Sequence, residues 1–239
     1  MIRFSTPLVE GKLIKRYKRF FADVELLDGQ VVTSHCPNTG SMRTCGSPGD
    51  RVFLLKNDDP KRKLKYTWEY TEATGGFIGV NTQRPNRIVE DAISEGLVEE
   101  LKGYSAIKRE AKYGENSKID LLLTHEQRPP CYVEIKNVTL IEGAQLLFPD
   151  AVTTRGQKHL KELMEVKSQG CRAVMFFLIN RPDGQEFAPA TAIDPHYSEL
   201  LQEASESGVE IITYRTDSRL EGMALGQKVP HHIHSERNP

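Results

Sequence analysis

The chain has 239 residues, 27% charged and 38% apolar, with 32 Lys+Arg against 33 Asp+Glu and a formal net charge of −1. That apolar share supports a packed core and excludes a mainly disordered chain, while the near-zero charge excludes a uniformly basic nucleic-acid coat. The longest apolar run is the seven residues 173–179, and no apolar signal region follows Met1, so a cytoplasmic protein without a membrane span is expected.

Charge is unevenly spread. Residues 1–81 hold 13 basic and 9 acidic side chains, a net of +4, and the remainder holds 19 and 24, a net of −5. The break falls near Gln83-Arg84-Pro85-Asn86 and divides the chain into an expected first domain, 1–82, and a second, 83–228. Residues 229–239, with His231, His232 and His234 in a Pro-flanked polar stretch, are expected as a flexible tail and not as a metal site. The four cysteines, at 36, 45, 131 and 171, form no C-x-x-C pair and are expected as reduced thiols.

In chain order, Asp28-Gly29 separates strand-like residues 22–27 from 31–34, a hairpin signal. Cys36-Pro37-Asn38-Thr39-Gly40 and Ser47-Pro48-Gly49-Asp50 break the chain again. Leu64, Tyr66, Trp68 and Tyr70 alternate with Lys63, Lys65, Thr67 and Glu69, which predicts a strand with a core face and a solvent face. No long helix precedes Asn86, so a small OB-type barrel of about five strands is the expectation. From Asn86 the period changes. Ile88, Val89, Ala92, Ile93 and Leu97 share one side of a helix that Pro85 introduces. Strands follow at 105–112, 118–123 and 131–136, then a helix carrying Leu160, Leu163, Met164 and Lys167 and ended by Gly170. A buried strand at 171–179, a helix near 195–207 and a strand at 209–214 complete an α/β domain around a mixed sheet.

The stretch from Lys118 to Lys136 carries the chemistry. Side chains alternate along a strand, so Glu134 and Lys136 share a face. If a seven-residue loop closes a hairpin with Leu123 opposite Cys131, Asp120 comes opposite Glu134. Ile119, Leu121, Leu123, Val133 and Ile135 then form a dry face, and Asp120, Glu134 and Lys136 the other. Two carboxylates beside an ammonium suit phosphodiester cleavage: Mg²⁺ or Mn²⁺ needs few protein ligands, and a lysine can orient water or stabilise charge in the transition state. Alternatively, this is a solvated sheet face with an ordinary Glu–Lys pair. No organic cofactor is indicated.

Lys118-Ile119-Asp120 followed by Val133-Glu134-Ile135-Lys136 resembles the PD-(D/E)xK nuclease core. Four longer stretches resemble the sugar fermentation stimulation protein family: His35-Cys36-Pro37-Asn38-Thr39-Gly40-Ser41-Met42, Pro85-Asn86-Arg87, Val133 to Leu140, and Phe148 to Gly156. The resemblance implies an N-terminal OB-like β-barrel followed by an α/β nuclease-like domain with a mixed central sheet. It further implies DNA binding without sequence preference and a part in regulating sugar (maltose) metabolism. By position, Asp120, Glu134 and Lys136 match the nuclease motif as catalytic residues, with Asp120 and Glu134 as metal ligands. Glu90 and Glu110 are additional candidate ligands. The motif's Pro-Asp is absent, because Ile119 precedes Asp120.

Cations interleaved with aromatics mark candidate DNA contacts in the first domain: Lys15, Arg16, Lys18 and Arg19 around Tyr17, Phe20 and Phe21, and Lys61, Arg62 and Lys63 near Tyr66 and Trp68. Tyr66, Trp68 and Tyr70 are expected in the core, which leaves the contact to the cations. Arg155, Lys158 and His159 open a helix whose first turn either meets a scissile phosphate or is simply solvated. The turn at residues 35–42 either docks the domains or presents backbone amides to an anion. Three functions follow: a non-specific DNA-binding protein on a nuclease-like platform, an active Mg²⁺- or Mn²⁺-dependent nuclease on DNA or RNA, or a small-molecule-sensing metabolic accessory protein. Monomer or dimer is left open.

Overall fold

The structure, a computed structural model, describes residues 1–113 and 117–233. Strands β2 (Val9–Tyr17), β3 (Phe21–Leu26), β4 (Val31–His35), β5 (Arg51–Lys56) and β6 (Tyr66–Ala73) pair in the order β4-β3-β2-β5-β6, and a parallel β4–β6 pairing closes them into a five-stranded barrel. β7 (Gly76–Gly79) extends β6. Leu13, Val24, Val52, Leu54 and Trp68 fill the barrel.

The second domain is a seven-stranded mixed sheet in the order β1-β16-β15-β13-β10-β9-β8. Its strands are β1 (Ile2–Arg3), β8 (Ala106–Tyr113), β9 (Ser117–His125), β10 (Arg128–Val138), β13 (Arg172–Ile179), β15 (Glu210–Arg219) and β16 (Gly222–Lys228). β13 reads Arg-Ala-Val-Met-Phe-Phe-Leu-Ile because it lies centrally with both faces covered. One face carries helix α1 (Pro85–Ser94), through Ile88, Val89, Ala92 and Ile93. The other carries α2 (Thr154–Ser168) and α3 (Pro195–Glu206), through Leu160, Leu163, Tyr197, Leu200 and Leu201. Thr153 and Asp194 cap these two helices, accepting from the Gly156 and Tyr197 amides at 3.0 and 2.9 Å. A small sheet of β11 (Leu140–Glu142), β12 (Gln145–Phe148) and β14 (Glu186–Pro189) lies beside the C-terminal end of β10. No helix among the described residues is long and apolar enough to cross a membrane. All four cysteines are free thiols, as expected.

Several expectations change. Residues 2–3 pair with β16 and so belong to the second domain's sheet; Gly222 permits this, since a Cβ there would lie 2.1 Å from the Ile2 carbonyl. The segment expected as a tail from residue 229 is packed at its start: Val229 and Ile233 are buried in the sheet's core, and His231 bridges to Phe187. His234 lies outside the described residues. Leu97 falls beyond the end of α1 and is exposed. Glu69 is not on a solvent face. The β5–β6 register shifts between Phe53 and Leu54, which pair with Tyr70 and Trp68, so Glu69 is the bulged residue and is fully buried. The bulge also parts Trp68 from Tyr70: Trp68 fills the barrel, whereas Tyr70 joins the sheet's core and donates to the Gly222 carbonyl at 2.9 Å.

Candidate active site

The expected hairpin forms, with Leu123 opposite Cys131, Leu122 opposite Tyr132 and Leu121 opposite Val133. Its turn is shorter than seven residues, because His125 already pairs with Arg128 and a bulge takes up the remainder around Pro129 and Pro130. The pairing stops after Val133. There the Asp120 carboxylate takes the place of a strand carbonyl: Oδ2 accepts the Ile135 N–H at 2.8 Å, and Oδ1 accepts from Asn86 Nδ2, at the start of α1, at 2.8 Å. The same position breaks the β8–β9 ladder, where Glu110, opposite Asp120, adopts a φ of +47°. Face alternation fails across this break. Leu121 and Leu123 pack into the core beneath α1, whereas Ile119, expected with them, packs into the core beneath α2 and α3.

On its other edge β10 runs parallel to β13, with Glu134 opposite Met175 and Lys136 opposite Phe177, so this edge still fixes both side chains where the β9 pairing has ended. Glu134 is only 3% exposed. Its Oε1 accepts from Lys136 Nζ at 2.7 Å and from His159 Nδ1 on α2. His159 Nε2 accepts from Arg155 Nε at 3.3 Å. Arginine has no lone pair to offer, so Nε2 must be the unprotonated nitrogen and Nδ1 carries the proton given to Glu134. Lys136 Nζ, 3.2 Å from that same Nδ1, is then a second donor to Glu134 and not a partner of the ring. The other oxygen, Glu134 Oε2, is buried and has no hydrogen-bond partner.

The two carboxyls are pushed apart electrostatically. Burial, then the Glu134 charge, raises the Asp120 pKa, against the Ile135 amide and Lys136, which lower it. Burial would also raise Glu134, but the His159 hydrogen bond and the Lys136 charge outweigh it and hold Glu134 below its ordinary value. An ionised buried carboxylate with one bare oxygen, next to a second carboxyl, fits a hard divalent cation: Mg²⁺ takes oxygen ligands, keeps several waters and needs one or two carboxylates. Among the described residues no group of three or more His, Cys, Asp or Glu side chains is placed to hold a metal ion, so an ion here would rest on two carboxylates and water.

Asp120, Glu134 and Lys136 therefore meet. The two additional acids do not join them: Glu90 pairs with Arg109, and Glu110 is exposed and pairs with Lys118 at 3.1 Å. His159, noted in the sequence only as part of a helix's first turn, is buried within the site, and no strand-spacing pattern could place it there because it arrives from α2. The barrel cations divide. Arg16 donates to the Asn38 and Gly40 carbonyls at 2.8 and 3.0 Å, and Arg19 grips the Thr39 carbonyl at 2.8 Å, so both hold the loop of residues 35–42. Lys15 lies 3.7 Å from Asp23 and Arg62 donates to Thr67 at 3.2 Å, while Lys18, Lys61 and Lys63 are exposed. The 35–42 loop docks the domains: the Ser41 amide and hydroxyl both donate to Asp150 Oδ2, at 2.7 and 3.0 Å.

Comparison with known proteins finds two family models along the chain. The family model described as the sugar fermentation stimulation protein RE domain matches residues 83–222, and that of the SfsA N-terminal OB domain matches residues 14–80. The chain is 56% identical over 228 residues to a sugar fermentation stimulation protein homolog of Geotalea uraniireducens, covering 95% of this chain and 98% of the relative. To the homolog of Geobacter sulfurreducens it is 55% identical over 224 residues, 94% and 96% of the two chains. The structure of Pyrococcus furiosus SfsA in complex with Ca²⁺ superposes with a TM-score of 0.87 at 29% identity, over 97% of this chain and 98% of that one.

Proposed function

The chain belongs to the sugar fermentation stimulation protein family, and within it we propose a divalent-metal-dependent nuclease that holds nucleic acid without reading its sequence. The observation that carries this reading is the bare, buried Oε2 of Glu134 beside Asp120 and Lys136. A buried, unpartnered carboxylate oxygen is unfavourable unless something binds it. The archaeal relative's complex with Ca²⁺ supports a cation that prefers oxygen ligands.

Asp120 and Glu134 Oε2 would hold the ion, and such an ion supplies Lewis acidity, lowering the pKa of water and offsetting negative charge on the phosphoryl group. The protein's own residues do the positioning. The Ile135 amide and Asn86 fix the Asp120 carboxylate, and His159 with Lys136 occupies Glu134 Oε1, so that Oε2 is the oxygen left to coordinate. The Lys136 ammonium would neutralise part of the charge at the phosphate's approach and stabilise the charge that grows in the transition state. Arg155, at the exposed edge of the same cluster, offers its remaining N–H groups to an adjacent phosphate. The exposed barrel cations Lys18, Lys61 and Lys63, with Lys15, would track the backbone, which gives affinity without sequence preference.

A second reading is DNA binding without cutting, in a protein that regulates sugar use as the relatives' names suggest. It is favoured by the third acid being absent from the site, since Glu90 and Glu110 are ion-paired elsewhere. Incubating the purified protein with single- and double-stranded DNA and RNA, in Mg²⁺ or Mn²⁺ and in EDTA, separates the two. The nuclease reading expects cleavage that EDTA stops and that Asp120→Ala and Lys136→Ala both lose. Binding without cleavage, unchanged in both variants, would overturn it.

A further inference from the structure

Beside Lys136 lies a cleft of about 430 Å³ between the barrel loop of residues 35–42 and the end of β10. Its apolar floor is Leu140, Leu147 and Phe148, and its polar rim includes Asn38, Asn137 and Arg155. We propose that this cleft seats one unstacked nucleotide next to the reacting phosphate, which makes single-stranded or frayed nucleic acid the substrate class. The proposal rests on the nuclease reading for what becomes of the phosphate, though not for binding.

The size is that of a pocket for a single small molecule. A duplex, with a major groove alone about 12 Å wide, cannot enter such a space, so a base reaches it only out of the stack. The walls are also tied together. Besides the two Ser41–Asp150 hydrogen bonds, Thr82 donates to the Pro37 carbonyl at 2.9 Å and Thr44 to the Thr139 carbonyl at 3.1 Å. Gly40 permits the closest approach: a Cβ there would lie 2.6 Å from Asp150 Oδ2. The width of the cleft is therefore built in.

Its chemistry suits a nucleotide. Asn38 Oδ1 is taken by the Gly40 amide and Asn137 Oδ1 by Asn180, which leaves both side-chain NH₂ groups as donors. With the Lys136 and Arg155 cations, the cleft presents donors to phosphate and base oxygens. The acid at its edge, Asp150, already has Oδ2 occupied by two Ser41 donors. Phe148, partly buried and backed by Phe177 and Tyr197 at ring-centroid distances of 5.7 and 5.3 Å, is the aromatic side chain lining the cleft, against which a base would stack.

The test measures binding in EDTA, where nothing is cut, using fluorescence anisotropy of labelled short oligothymidine, oligouridine, a blunt duplex and the same duplex with a single-stranded tail. The expected result is tighter binding of single-stranded and tailed forms than of the blunt duplex by about tenfold, the scale of one base stacking on an aromatic ring. The two single-stranded arms show whether DNA or RNA is preferred. Thr39→Trp, which fills the cleft from an exposed rim position, should abolish that preference with an unchanged Tm. Asn137→Ala should weaken it, and serves in place of Thr39→Trp if that variant's Tm falls. A 4-thiothymidine oligonucleotide should photocrosslink to peptides spanning residues 38–41 or 137–150. Equal affinity for all forms, or a preference surviving both variants, overturns the cleft proposal while leaving metal-dependent cutting to be judged separately. A preference lost in the variants, with no cutting in any metal, keeps the cleft and refutes the nuclease.

Discussion

Two glutamates on strands, Glu69 at the junction of the domains and Glu134 in the sheet, are both buried, at 0% and 3% exposure, and both sit against a cation. Glu69 is saturated. Arg84 donates to it through Nη2 at 2.6 Å and Nε at 3.1 Å, and Asn81 Nδ2 adds a third bond at 3.0 Å, so both oxygens are occupied. Glu134 has two donors crowded on Oε1 and none on Oε2. The same residue type, equally buried, thus sits in two kinds of network: a closed one that fixes one element against another, and an open one that leaves the oxygen the proposed metal would take. An unsaturated buried carboxylate is a poor structural feature unless a ligand takes the open oxygen.

Neutralising each acid in turn separates the two glutamates most strongly. Asp120→Asn or Glu134→Gln should lower metal-dependent cleavage by on the order of a hundred- to thousandfold, as when a group stabilising the transition state is removed. Glu69→Gln should leave the rate per folded molecule unchanged, as read by initial cleavage rates. Stability should rank the other way. Glu69→Ala leaves Arg84 partly buried without its partner and should cost about 3 kcal/mol, the lower end for a broken buried pair because Arg84 keeps some solvent contact. Glu134→Gln should shift the urea midpoint less than Glu69→Ala does, since it removes the repulsion with Asp120 while retaining an acceptor for Lys136 and His159.

A smaller effect is expected at His159, which bonds to Glu134 Oε1 and would act on the proposed metal only through that carboxylate. His159→Ala should weaken metal affinity or activity by about 10- to 100-fold, the usual loss when a ligand's supporting hydrogen bond is removed. His159→Asn, which restores an N–H donor near the Nδ1 position, should recover part of it, as followed by titration with Mn²⁺. The smallest effect is in proton uptake. Asp120 has its pKa raised, so its ionised form opposes folding and acid relieves that strain as pH falls through its raised value. Glu134 has its pKa lowered, so its stabilising contribution is present above its unfolded value and disappears only as pH falls through its folded one. Carboxyl ¹³C NMR of the metal-free protein should therefore show Asp120 protonating above its ordinary value and Glu134 below its own.

Much of this was legible in the sequence, for physical reasons. Strand alternation puts Glu134 and Lys136 on one face, the apolar residues of β9 and β10 set the register through Leu123 and Cys131, and the change of period at Pro85 marks the domain junction. What escaped depends on departures from regularity. The bulge at Glu69 turns an outward position inward, the break at Asp120 sends Ile119 and Leu121 into different cores, and β1 crosses to the far sheet because Gly222 has no side chain to block it. His159 and the Ser41–Asp150 bond join residues 25 and 109 positions apart from their partners, distances at which no local pattern survives.

Asp120 and Glu134 Oε2 are proposed to hold one divalent ion. Anomalous scattering from crystals soaked in Mn²⁺ tests it most directly: a single peak within coordination distance of both carboxylates, absent from crystals of Glu134→Gln, is the result expected. A Glu134 Oε2 left without metal at saturating Mn²⁺, or a peak at other residues alone, would contradict the account.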